Sequence, residues 1–274
     1  MRKKSLQFLS FNFLFLIALA FCLSVMPAAF TPPAPVAAAE MKAIKKRGRL
    51  IVAVKDNLPP LGFRDSAGNL QGLEIDIARR LAAEVLGSPD AVELQPVANQ
   101  DRLSVVLNGQ VDMTIAGVTA TETRGRVVDF SVPYYMDGTG FVTKNASVRR
   151  LEDVGKQTIA MLDNSDSIAN VLYFFPNAKL VGVDSYEAGR MLIERGEASV
   201  FAGDASVLAG WVQEYPDYQI LPFLLSAEPL SIVMPKGLQY SPLRVRVHNA
   251  IRQWTAEGWL RERAAYWGLP VPQE

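Results

Sequence analysis

Cysteine and histidine are nearly missing from this chain: of its 274 residues, one is cysteine, Cys22, and one is histidine, His248. That scarcity excludes thiol proteases, iron–sulfur proteins and zinc hydrolases, whose chemistry needs a thiolate or clustered imidazoles. His248 lies among Arg244, Arg246 and Arg252, the setting of a solvated helix residue rather than of a general base. A surplus of either charge is lacking too, since 28 basic residues stand against 28 acidic ones. Such a balance leaves no basic face for nucleic acid, which is therefore not an expected partner. No Gly-x-x-x-x-Gly-Lys-Ser/Thr phosphate loop occurs, and Gly138-Thr139-Gly140 is followed by Thr143 where a dinucleotide fingerprint places glycine. Asp163-Asn164-Ser165-Asp166-Ser167 begins like a calcium loop, but Ile168 replaces its glycine and Phe174 its closing acid. No cofactor or metal is expected, and function has to come from local binding motifs.

What is present begins with a leader. Arg2, Lys3 and Lys4 precede an apolar run from Leu6 to Val25, and Val36-Ala37-Ala38-Ala39 ends in the small residues that a signal peptidase prefers. Residues 1–39 read as a secretory signal cleaved after Ala39, which places the remainder in the periplasm. The same run is long enough to serve as an uncleaved anchor. A lipid anchor on Cys22 fits less well, because Phe21 is too bulky for the small residue expected before an acylated cysteine. Removal of the leader takes away the cysteine as well. The exported chain then has no disulfide and relies on its core alone, for which its length is ample.

Periodicity indicates alternating strands and helices. Leu50–Val54 reads as a buried strand, and Leu73–Leu86 as a helix with Ile77, Leu81 and Val85 on one face. Further strands are predicted at 92–97, 111–116, 140–143, 158–161, 178–181, 199–202 and 230–234. Helices are predicted at 101–108, 167–174, 186–194, 205–214 and 243–258. This alternation implies an α/β architecture with mainly parallel sheets. Proline and glycine breaks at Ser131–Gly138 and Ser226–Pro229 suggest two chain crossings between lobes.

Gly72-Leu73-Glu74-Ile75-Asp76-Ile77, continued by Leu81-Ala82 and Val85, resembles without a gap the signature of bacterial solute-binding proteins of family 3, the polar amino-acid class. The likeness runs from Leu50-Ile51-Val52-Ala53-Val54-Lys55 to Tyr266-Trp267-Gly268-Leu269. It implies a two-lobed type II periplasmic-binding-protein fold, each lobe a mainly parallel sheet flanked by helices, joined by two hinge strands. The expected lobes are residues 40–136 with 230–274, and residues 137–229. Ala116-Gly117-Val118-Thr119-Ala120-Thr121-Glu122-Thr123-Arg124 is similar to the family's α-carboxylate clamp. Arg124 would grip the carboxylate through two parallel charge-assisted bonds, aided by Gly117 and Thr119. A cation at a helix start opposes the helix dipole, so a nearby anion accounts for Arg124 better than chance exposure does. Asp204, at the end of a segment similar to the family's ammonium site, would pair with the α-amino group, and it follows a strand as ligand groups do in open α/β sheets.

Selectivity is harder to read. Lys55 and Arg102 occupy positions that are basic in relatives binding glutamate or aspartate, and a second ligand carboxylate would need such neutralisation in a closed cleft. Asp56, Asp166 and Ser167 complete the expected ligand-binding set, and Asp166 adds negative charge that would favour a neutral or cationic ligand. The resemblance implies a monomeric, non-enzymatic protein that captures a free amino acid, with glutamate or aspartate first, by hinge closure and delivers it to the membrane permease of an ABC importer. Neutral polar or basic amino acids such as glutamine, histidine or arginine are the alternative ligands. A periplasmic dehydratase on the same scaffold is the enzymatic alternative.

Overall fold

The computed structural model describes residues 39–163, 165 and 167–271, all within one compact unit, residues 35–274. The signal-peptide reading, Cys22 and Asp166 lie outside the described residues. Helix α1 (Met41–Arg47) ends at left-handed Gly48 and leads to β1 (Leu50–Val54). Every residue of β1 is buried, because Leu50, Val52 and Val54 join one apolar cluster while Ile51 and Ala53 join another on the opposite face. A small three-stranded sheet of β2 (Asn57–Leu58), β3 (Gly62–Arg64) and β4 (Leu70–Gln71) then delivers the chain to α2 (Leu73–Leu86), whose Leu73, Ile77 and Leu81 are buried. There follow β5 (Val92–Pro96), the short α3 (Ser104–Leu107), β6 (Met113–Ile115), α4 (Glu122–Gly125), β7 (Asp129–Phe130) and β8 (Tyr135–Asp137).

The second half contains β9 (Thr139–Thr143), α5 (Leu151–Val154), β10 (Thr158–Leu162), α6 (Ser167–Phe174), β11 (Lys179–Val183), α7 (Tyr186–Glu194), β12 (Val200–Asp204), α8 (Ala205–Glu214) and β13 (Gln219–Ile220). The chain returns through β14 (Glu228–Leu230) to β15 (Val233–Met234), α9 (Ser241–Ala256) and α10 (Trp259–Tyr266).

Two five-stranded sheets follow one plan, with orders β5-β1-β6-β15-β7 and β11-β10-β12-β9-β13. In each, the first three strands run parallel and the last two are antiparallel additions. The chain leaves β1 for one neighbour and later returns to the other, and does the same around β10. Each sheet thus has a switch point at the carboxyl end of its central strand, where α/β folds bind ligands. The crossings β8 and β14 pair with each other as a two-stranded sheet, Tyr135 opposite Leu230 and Asp137 opposite Glu228, and Leu230 also bridges to Thr119.

Two local expectations change. The predicted strand 230–234 is divided, because Leu230 belongs to the crossing pair and Val233–Met234 to the first sheet. The predicted helix 101–108 contracts to a 3-10 turn, Asn99–Asp101, and α3. Beyond α9 the chain turns at Gly258, with φ at 77°, into the separate helix α10. Asp76 on α2 holds that end of the chain by accepting hydrogen bonds from the Arg263 guanidinium and, at 2.8 Å, from the Trp267 indole.

Candidate functional site

One cavity of about 540 Å³ lies at the switch points of both sheets. From the first sheet's side, Lys55 follows β1, Arg102 follows the 3-10 turn, and Gly117, Thr119 and Arg124 follow β6. The facing wall brings Ser165, Tyr186, Asp204 and Ser206, and the crossing strands contribute Asp137 and Glu228. All the lining cations therefore stand on one side, and the lining acids stand on the other or on the crossings. Leu58, Leu61 and Leu230 supply apolar surface.

The residues of the first side are organised around one loop. Gly117 adopts φ of +60°, a conformation open to glycine, and a Cβ there would meet Leu58 at 3.3 Å. Its N–H donates to Glu74 Oε1 at 2.6 Å, while its carbonyl and that of Ala116 accept from Arg102 Nη1 at 2.7 and 3.1 Å. Arg102 Nε is bound to the Asn99 carbonyl at 2.9 Å. Arg124 Nη1 reaches the Thr119 carbonyl at 2.9 Å, and Thr121 caps the short helix by accepting from the Arg124 N–H at 3.3 Å. Lys55 is 5% exposed and donates to the Val97 carbonyl at 3.0 Å. Burial, and then the charge of Arg102, pushes its ammonium below the ordinary lysine range. Burial and the charge of Arg124 likewise depress Arg102.

Beneath this wall lies Glu74, with no exposed surface. Its Oε1 also accepts from the Tyr134 hydroxyl at 2.5 Å, and burial raises its carboxyl despite these bonds and the Arg102 and Lys55 charges. Asp204 ends β12 at the N-cap position of α8, yet its side chain makes no capping bond. Asp137 performs that task instead, accepting from the Ser206 N–H at 3.0 Å, from the Ser206 hydroxyl and from the Gly138 N–H at 2.9 Å. Tyr186 is held largely out of water beside Asp204 and Asp137, and burial followed by those charges raises its hydroxyl.

Lys55, Arg102, Gly117, Thr119, Arg124 and Asp204 are thus brought to one cavity. Asp56 is not among its lining residues; its carboxylate pairs with Arg64 at 3.2 Å. Ser167 is buried just behind the wall, its N–H donating to Ser165 Oγ at 3.2 Å. Asp137, Tyr186 and Glu228 were not anticipated. The crossing breaks flanking Asp137 and Glu228 were visible in sequence, but nothing marked those two acids as facing the same space. A more open groove of about 720 Å³ runs along α9, where its lining charges Glu84 and Arg246 pair with each other at 3.1 Å.

The sequence pattern of the bacterial extracellular solute-binding proteins, family 3, matches residues 50–270. The chain belongs to that family. It is 32% identical over 195 residues to a glutamine-binding protein of Geobacillus stearothermophilus, covering 70% of this chain and 74% of that one. It is 29% identical to the glutamate/glutamine/aspartate/asparagine-binding protein BztA of Rhodobacter capsulatus, covering 71% and 60%. Among solved structures, an ancestral amino-acid-binding protein described as a precursor of cyclohexadienyl dehydratase superposes with a TM-score of 0.65 at 26% identity, covering 83% of this chain and 99% of that one. The two-lobed type II periplasmic-binding fold is common to this family member and such structures. Members of the family are extracytoplasmic, and no helix among the described residues of this chain is long and apolar enough to cross a membrane.

Proposed function

We propose that this protein is a periplasmic, monomeric binding protein that captures one free amino acid by closing two lobes upon it and delivers it to the permease of an ABC importer. The lobes in this reading are residues 40–136 with 230–274, and residues 137–229. The observation that carries it is the approach of Arg124 and Asp204 to a single cavity from different sheets. A zwitterion presents an anion and a cation a few bonds apart, and this cavity offers a guanidinium on one wall and a carboxylate on the other. Arg124 takes the α-carboxylate together with Thr119, and Asp204 takes the α-ammonium. A micromolar dissociation constant requires only about −8 kcal/mol, which a few charge-assisted bonds in a dry cleft provide.

The side chain is read by what remains on the cationic wall. Lys55 and Arg102 donate to backbone carbonyls, so a second ligand carboxylate would neutralise charge there; glutamate and aspartate fit this best. Glutamine is the second reading. It is favoured because Asp137 and Glu228 line the same cavity and temper its positive charge.

Calorimetric titration of residues 35–274 with the twenty amino acids tests both readings. Arg124→Ala is expected to abolish binding of every one, and retention of affinity within about threefold would overturn the assignment, since one charge-assisted pair is worth more than that. Lys55→Met is expected to weaken glutamate more than glutamine if the acidic reading is right, and both alike if it is not. The ligand should be recovered unchanged, which separates capture from a dehydratase.

A further inference from the structure

Helix α8 carries Asp204 at its cap and touches both sheets' cores. Leu208 and Trp211 pack into a cluster of the second sheet, whereas Ala209 between them belongs to the cluster around β1, α2 and α9. At Gly210 the helix meets the other lobe directly: a Cβ there would lie 2.6 Å from the Pro59 carbonyl oxygen and 3.2 Å from its carbon. Gln213, one turn later, donates its amide to the Trp267 carbonyl at 2.8 Å. The position of this contact gives it meaning. Leu58, beside Pro59, and Val207, one turn before Gly210, both line the cavity, so the contact borders its mouth rather than lying on the far side of the crossing strands. Separation of the lobes about β8 and β14 would draw these surfaces apart.

The geometry points to an interlobe latch: Gly210 against the Pro59 backbone, seconded by Gln213 on Trp267, holds the jaws closed and sets the closed fraction. It rests on the closure reading above but goes beyond ligand contact, because none of these four residues lines the cavity. Glycine is needed there by space, since any side chain must push the Pro59 backbone away. The latch acts on affinity through population. A solute that binds the closed form is weakened in proportion to the loss of that form, whatever its side chain.

Single-molecule energy transfer on residues 35–274, which contain no cysteine of their own, reads that population without any ligand. Dyes are attached through Lys45→Cys and Lys179→Cys, both at exposed positions, one on each lobe. The unsubstituted latch should show a closed-to-open ratio that falls roughly tenfold in Gly210→Ala, equivalent to ~1.4 kcal/mol, and by a few fold in Gln213→Ala. Gln213 is exposed, so its truncation tests the latch even where Gly210→Ala fails to fold. Equal closed fractions in both variants and the parent, or no closed fraction in the parent, would overturn the latch. Because no amino acid is added, a failure to bind any of the twenty would leave this measurement intact, and the two readings fail separately.

Discussion

Glu74 has no exposed surface, and its carboxylate anchors the loop that presents Gly117, Thr119 and Arg124. Burial raises its carboxyl above the ordinary value of 4.5, outweighing the opposing bonds from Tyr134 and Gly117. An acid whose affinity for its proton is greater in the folded state contributes stability that is fully present below the unfolded value and is lost as pH rises through the folded one. The protein should therefore lose stability as the pH climbs from about 4.5 towards the raised value. Glu74→Gln preserves an acceptor for Gly117 and Tyr134 without the buried charge. Its Tm is expected to gain on the parent by roughly 2–4 °C for each ~1 kcal/mol so relieved, and only towards higher pH. Parallel curves of Tm against pH for the two proteins would contradict this. Sequence marked Glu74 as part of a signature, but only the fold shows that it lies under the loop from Ala116 to Arg124. Arg124 was legible because its loop keeps the family's spacing, whereas the backbone work of Arg102 was not, since three carbonyls distributed over 99–117 become neighbours only when folded.

At the scale of elements, α8 shows a division of labour. Asp204 occupies the cap position while Asp137, from a strand that crosses between lobes, satisfies the helix start. Asp204, at the end of β12, lines the cavity from the same turn. Asp137→Ala would strip the acceptor from the Ser206 and Gly138 N–H groups and cost about 1–3 kcal/mol. A fall in Tm of roughly 2–12 °C in thermal denaturation is expected, with Asp137→Asn recovering part of it. An unchanged Tm would mean that these bonds are replaced by others. Strand β15 teaches a complementary lesson about legibility. The run from Leu230 to Met234 is uniformly apolar or small and buried, so its pattern could not reveal that Leu230 pairs with Tyr135 in the crossing while Val233 pairs with Thr114 in the sheet. The helix end at Gly258 was legible, and beyond it α9 and α10 share a tryptophan contact, Trp254 on Trp259, with Arg80 stacked at 4.7 and 4.3 Å over the two rings.

For the whole molecule, one capture event should stabilise the fold by mass action. A solute at about 100 times its dissociation constant adds ~2.7 kcal/mol, which in a chain of this size corresponds to a Tm rise of roughly 5–10 °C. Thermal scans against the twenty amino acids check this, and the absence of a shift with all of them would remove the capture reading. What the sequence by itself determined was the class of the fold, the family, and four of the six charged residues gathered at the cavity. Those features are local: burial of β1 is written in an unbroken apolar run and the apolar face of α2 in a period of 3.6, and the loop from Ala116 to Arg124 keeps its spacing within a few residues. Only the tertiary structure decided that Asp56 turns to Arg64, that Asp137, Tyr186 and Glu228 share the cavity, and that Gly210 rests on Pro59. The physical reason is that these are meetings between segments tens of residues or more apart, or choices among rival partners. Direction and contact of that kind are fixed by how the two sheets and their crossings pack, which no local pattern encodes.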